Sequence, residues 1–163
     1  MKAVKTILLI FVLAFFSLEG SAQEIYNEVR RMQKQFETIK LDKTKKIDER
    51  KIASFKWDAV EYMLYKAKQD SSFTELQLGK QTNAMVEFVN LFVKRLVEAG
   101  KSKSKREMVA QRFKNASVSH SLFHDEDKDL VLAYCNSPKF ITQFSLDTDW
   151  TEALNEVREM DWK

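Results

Sequence analysis

After residue 22 the chain contains only three backbone breakers, Gly79, Gly100 and Pro138. This scarcity constrains the fold more than any other feature. An all-β domain of this length needs a turn every few residues, and such turns are normally built from Gly, Pro and Asn-Gly pairs. With those missing and Lys, Glu, Gln, Leu, Met and Ala abundant, the sequence specifies helices. The expectation is an all-α, single-domain bundle of five to six helices, with one irregular or short extended crossing near residues 139–147.

Apolar spacing assigns the helices. Ile25, Val29, Met32, Phe36 and Ile39 step by 4, 3, 4 and 3 and draw one helical stripe. The charged stretch 41–51 reads as a connection or a frayed helix start. In the next segment Ile52, Phe55, Ala59, Val60, Met63, Leu64 and Ala67 share a face that Trp57, Tyr62 and Tyr65 widen. Ser72 and Glu75 have capping-box spacing, with an interruption expected near Gly79. Met85, Phe88, Val89, Phe92, Leu96 and Ala99 then form a wide stripe ending at Gly100, which is placed to close the helix in a left-handed conformation. These two broad apolar faces mark their helices as the central pair. A fourth helix is expected over about 103–116, with Val109, Phe113 and Ala116 inward. Trp150, Ala153, Leu154, Val157 and Met160 mark the last helix, with Asp149 and Glu152 as its cap.

The N-terminus has a different pattern. Lys2 and Lys5 precede an unbroken apolar run, Ile7 to Phe16, and Gly20 and Ala22 stand at −3 and −1 of a cut before Gln23. That is the layout of a secretory signal peptide. Ten helical residues span only about 15 Å, half of a hydrocarbon core. Residues 1–22 are therefore expected to be a cleaved signal peptide, and residues 23–163 a single helical domain that is periplasmic or secreted. No cysteine near the cut offers a site for lipid attachment.

The expected mature chain has 25 basic and 23 acidic residues, a net charge of +2. That balance argues against a nucleic-acid binder. The basic run "KSKSKR", 101–106, reads as a solvated connection in preference to a site for an anionic partner or membrane surface. The single cysteine, Cys135, permits no internal disulfide and reads as a small buried hydrophobe. Asn115-Ala116-Ser117 matches the glycosylation acceptor pattern, a frequent chance match.

Chemistry concentrates in "HSLFHDEDKD", 120–129, which holds both histidines of the chain. One reading is structural. Asp125 caps a short helix that buries Leu130, Val131 and Tyr134, and Glu126 and Asp127 favour its positive end. The other is a metal site of His120, His124, Asp125 and Asp127, with the imidazoles four apart on one helix face. A calcium loop is excluded, because its sixth and twelfth positions hold Leu130 and Asn136 in place of Gly and Glu. A zinc-protease motif is excluded by Ser121 after the first histidine. The helix-cap reading is preferred. In the tail, "KFITQFSLDTDW", 139–150, reads as a crossing anchored by Phe140, Phe144 and Leu146. Asp147 and Asp149 are read as caps and turns in preference to a catalytic pair.

No phosphate loop, nucleophile elbow or cofactor motif is present, and no catalytic residue is assigned. The functional expectation is a non-catalytic binding or interaction module in the cell envelope or outside the cell. Its partner is an unknown protein or small ligand, with no nucleic acid and no transmembrane segment in the mature chain. The alternative is a metal-dependent protein or enzyme centred on His120, His124 and the adjacent carboxylates. The export expectation predicts a mature N-terminus at Gln23 in protein from the native host. Intact-mass measurement checks this, and recovery of the full chain in the inner membrane would contradict it.

Overall fold

The computed structural model describes residues 22–124, 131–132 and 144–162. The expectations for the signal peptide, Asp125, Asp127, Leu130, Tyr134, Cys135, Pro138 and Phe140 lie outside the described residues. The fold is an all-α bundle of five described helices. They are α1 (Ala22–Leu41), α2 (Ile47–Gln69), α3 (Glu75–Glu98), α4 (Lys103–Ser119) and α5 (Trp150–Glu159). Two short strands, β1 (Val131–Leu132) and β2 (Phe144–Ser145), pair antiparallel before α5. Among the described residues no helix is long and apolar enough to cross a membrane.

Helix α3 is the hub, in contact with each of the other four helices. Its buried stripe, Leu78, Met85, Phe88, Val89, Phe92 and Leu96, matches the sequence periodicity. Helix α2 packs on α1 and α3, and its Phe55, Ala59, Val60, Met63 and Leu64 are buried. Tyr65 is a correction: it is exposed, because the buried face stops at Tyr62 and Leu64 and the next position turns outward.

Gly79 is a second correction. Helix α3 runs through it without interruption. A Cβ on Gly79 would lie 2.9 Å from Cγ2 of Ile25, closer than van der Waals contact allows. The glycine's role is therefore close approach between α1 and α3. Gly100, by contrast, has φ +57° and does end α3, with its N–H donating to the Val97 carbonyl at 3.0 Å. Arg106, from the basic run after it, donates to the carbonyls of Leu96 and Gly100.

The two loops joining α1 to α2 and α2 to α3 have five residues each, beginning Asp42-Lys43-Thr44 and Asp70-Ser71-Ser72. In each, the aspartate Oδ1 accepts from the backbone N–H two residues on at 2.9 Å and from that residue's hydroxyl at 2.6 Å. The Thr44 hydroxyl, then its N–H, holds the Asp42 carboxyl below its ordinary value, and Ser72 does the same to Asp70. Ser72 is thus a turn residue and not the expected cap. The capping box lies two residues later, where the Thr74 side chain accepts from Gln77 N–H and Gln77 Oε1 accepts from Thr74 N–H. In the folded chain Thr74 is the residue in extended conformation directly before the helix, and a cap needs that position.

The centre of the bundle is aromatic. Phe144, carried by β2, has its ring 5.3 Å from Phe55, 5.5 Å from Phe88 and 5.1 Å from Phe92, each edge to face. Trp150, at the start of α5, meets Phe55 and Phe88 at 5.8 and 5.4 Å. Phe113 of α4 closes on Phe88 and Phe92 at 5.0 and 5.3 Å. Edge-to-face pairs place the positive ring edge on a negative face, worth roughly 0.5–1.5 kcal/mol each beyond burial. Phe92 and Phe144 are essentially inaccessible to solvent. Phe92→Ala and Phe144→Ala should each cost about 3–5 kcal/mol in chemical denaturation. A loss below about 1 kcal/mol for Phe144→Ala would mean that β2 is not part of the core.

Candidate functional site

The two distinctive strings of the sequence are fastened to each other. Helix α4 ends at Ser119, and His120 is its C-terminal cap residue. Its carbonyl accepts from Asp149 N–H at 2.6 Å. The segment after α4 thus lies against the turn before α5, joined by hydroxyls and carboxylates.

The inner part of this junction is buried. Ser117, on the last turn of α4, accepts from Ser145 N–H at 2.8 Å and lies 3.0 Å from the Thr148 hydroxyl. Thr148 Oγ1 is also within hydrogen-bonding reach of the Ser117 and Ser145 carbonyls, at 3.0 and 2.8 Å. Ser117 and Thr148 are fully buried, so these bonds satisfy groups that would otherwise be costly to bury. In the folded α4 the Ser117 hydroxyl of the Asn-Ala-Ser match is fully engaged, while Asn115 is exposed.

The outer part centres on two aspartates. Asp147, only 6% exposed, accepts from the Ser121 hydroxyl at 2.6 Å on one oxygen and from Phe123 N–H at 2.8 Å on the other. Ser121 Oγ in turn accepts from His124 N–H at 3.1 Å. Asp149 caps α5, its Oδ1 accepting from Thr151 and Glu152 N–H, each at 3.1 Å. The same oxygen accepts from Gln81 Nε2 at 2.8 Å, and Gln81 Oε1 accepts from Trp150 N–H at 2.7 Å. The expected capping box is therefore half present. Asp149 caps, but its own N–H goes to His120 instead of to Glu152. The Trp150 indole N–H and the Thr82 hydroxyl, next to Gln81 in sequence, are buried without a partner among the described residues.

The histidines do not share a helix face. Both follow the end of α4, and His124 has a left-handed backbone with φ +51°. The shared helix face that could have brought the two imidazoles together is absent, since the helix ends before His120. His120 Nε2 instead lies 2.6 Å from Glu156 Oε2, a carboxylate 36 residues away on α5. Among the described residues no group of three or more His, Cys, Asp or Glu side chains could hold a metal ion. Asp125 and Asp127 lie outside the described residues. The short helix expected after Asp125 is corrected at two positions. Val131 and Leu132 pair as strand with Ser145 and Phe144. A partner strand was available to them, and the β-branched Val131 suits that pairing.

Sequence reasoning missed Gln81, Glu156 and the roles of Ser117 and Ser121. The hydroxyls of the two serines bind the crossing. Gln81 has no local signal, since its partners are 68 and 69 residues away.

Comparison with known proteins finds no family model that matches the sequence, and no significantly similar curated protein or solved structure.

Asp149→Ala removes the α5 cap and strands the buried amide of Gln81. The variant should lose about 1–3 kcal/mol in urea denaturation, combining a lost cap with an unpaired buried donor. Asp149→Asn should recover most of that loss, since Asn caps as well as Asp. Equal stability of Asp149→Ala and the parent would show that the junction does not depend on this carboxylate.

Proposed function

We propose that this chain is an exported, non-catalytic binding or interaction module of the cell envelope or extracellular space. One observation carries the non-catalytic part. Among the described residues of the junction, the carboxylates and hydroxyls closest to an acid–base or nucleophilic arrangement are engaged in holding the crossing. Both oxygens of Asp147 accept structural hydrogen bonds, Asp149 caps α5, and Ser117 and Ser121 bind the backbone on either side. A general acid or base must instead have a proton-exchanging oxygen within reach of substrate. Export is supported by the residue pattern of the first 22 positions.

The metal-dependent alternative at His120 and His124 has one observation on its side, the approach of Glu156 to His120. That pair is about two-thirds buried at each side chain, and its geometry is equally that of a structural ion pair. Two measurements separate the readings. Affinity capture from the native cell envelope with quantitative mass spectrometry should return a stoichiometric partner, with recovery unchanged by His120→Ala with His124→Ala. Calorimetry with zinc should show no stoichiometric, histidine-dependent binding at micromolar affinity or tighter. Such binding would place the metal-dependent reading first. If it were present, zinc at 100 times its Kd would add about 2.7 kcal/mol of stability that the double variant lacks.

A further inference from the structure

The fold gathers two basic loops at one end of the bundle, where sequence alone presents them as separate solvated connections. Gln33 of α1 bonds Glu61 of α2, and Lys56 of α2 bonds Asn90 of α3, so both hairpins are antiparallel and α1 and α3 run parallel, with Ile25 near the start of α1 against Gly79 near the start of α3. From that contact α1 continues 16 residues to Leu41 and α3 continues 19 residues to Glu98. At 1.5 Å per residue their ends stand within about 5 Å of the same height. The α1–α2 loop and the α3–α4 loop therefore form a common tip. The Ser117–Asp147 junction lies at the opposite end, beside Gln81 and the start of α3.

Charge is strongly concentrated at this tip. Residues 40–51 and 94–107 hold 12 of the chain's 27 basic residues and 5 of its 24 acidic ones. That is +7 on a chain whose total is +3, leaving −4 for the rest. Lys43, Lys45, Lys46, Lys94, Lys101, Lys103 and Lys105 are all exposed. Among them stand three of the most exposed large apolar side chains of the described residues: Leu41 at 65%, Ile47 at 58% and Val97 at 50%. Leu41 and Ile47 flank the same five-residue loop, one as the last residue of α1 and the other as the first of α2.

We propose that this tip docks on an anionic phospholipid surface, with Leu41 and Ile47 entering the headgroup boundary and the lysines lying over the lipid phosphates. The proposal rests on the binding-module reading and names its partner. An exposed apolar pair flanking a helical hairpin loop, among exposed lysines, matches what a bilayer surface accepts. Apolar side chains sink a few ångströms while the ammonium groups stay at the charged layer. Small ligands are instead held in concave sites, and a loop tip between two helices is convex. Attraction between clustered lysines and anionic headgroups falls off within a Debye length, so salt should weaken it.

Vesicle co-sedimentation tests this with protein purified from the native host, so that parent and variants share the same N-terminus. Vesicles of phosphatidylcholine with about one-third phosphatidylglycerol should bind at least tenfold more tightly than pure phosphatidylcholine, and about 0.5 M salt should remove most of the difference. Lys43→Gln with Lys45→Gln and Lys46→Gln should weaken anionic-vesicle binding at least tenfold. Lys34→Gln with Lys68→Gln and Lys80→Gln, an equal loss of charge elsewhere, should change it less than about twofold. Leu41→Ser with Ile47→Ser should weaken it severalfold, and inorganic phosphate at millimolar concentration should not compete. Equal binding to both vesicle types overturns the proposal, as does an equal effect of the two lysine sets. Binding to soluble polyglutamate without binding to anionic vesicles also overturns it, in favour of an acidic polypeptide. In either case a partner captured from the envelope would leave the broader reading standing.

Discussion

The structure depends on one ring. Phe144 is delivered by a two-residue strand, not by a helix, yet it touches Phe55 of α2 and Phe88 and Phe92 of α3. Helices pack along stripes, and where several converge a space remains that no single stripe fills. Here a side chain from the crossing fills it, and Phe113 and Trp150 complete the packing around Phe88. Because interiors are packed to nearly crystalline density, the position of that ring is fixed only if the crossing itself is fixed. The buried hydrogen bonds among Ser117, Ser145 and Thr148 do this one residue away, and Asp147 and Asp149 continue the attachment on the outer side.

This division of labour gives residues 120–124 a place in the scaffold. A non-helical segment between two helices exposes backbone donors and acceptors that must be satisfied. Serine, threonine and aspartate are the short side chains that reach adjacent backbone groups. The sequence supplies them on both sides of the junction, at Ser117 and Ser121 and at Ser145, Asp147, Thr148 and Asp149. The tip at the other end differs. Its Asp42 also closes a turn, but the lysines around it face solvent.

Helix identity was legible in the sequence wherever burial repeats every three or four residues. The stripes of α1, α3 and α5, the left-handed Gly100 and the cap at Asp149 all follow from local rules. What was not legible depends on distant neighbours. Gly79 looked like a break because its cost in a helix is local, whereas its use, contact with Ile25, is 54 residues away. Ser72 looked like a cap because capping residues and turn residues are the same types. Val131 and Leu132 read as helical because a two-residue strand has no periodicity to detect. His120 and His124 suggested a shared face only on the premise of a helix through both, and α4 ends at Ser119, before either.

The distances in sequence that the central ring bridges have a kinetic meaning. The α1–α2 and α2–α3 hairpins close through five-residue loops, with little loop entropy to overcome. Phe144 and Trp150 meet Phe55 across 89 and 95 residues. Contacts at such separation form late in folding, because long loops must be ordered before the contacts reward it. A chain still emerging from the ribosome can therefore build its first three helices and hold Phe55, Phe88 and Phe92 around an unfilled centre. For that interval the growing chain exposes an aromatic surface of the kind that chaperones shield, until Phe144 and Trp150 arrive to cover it.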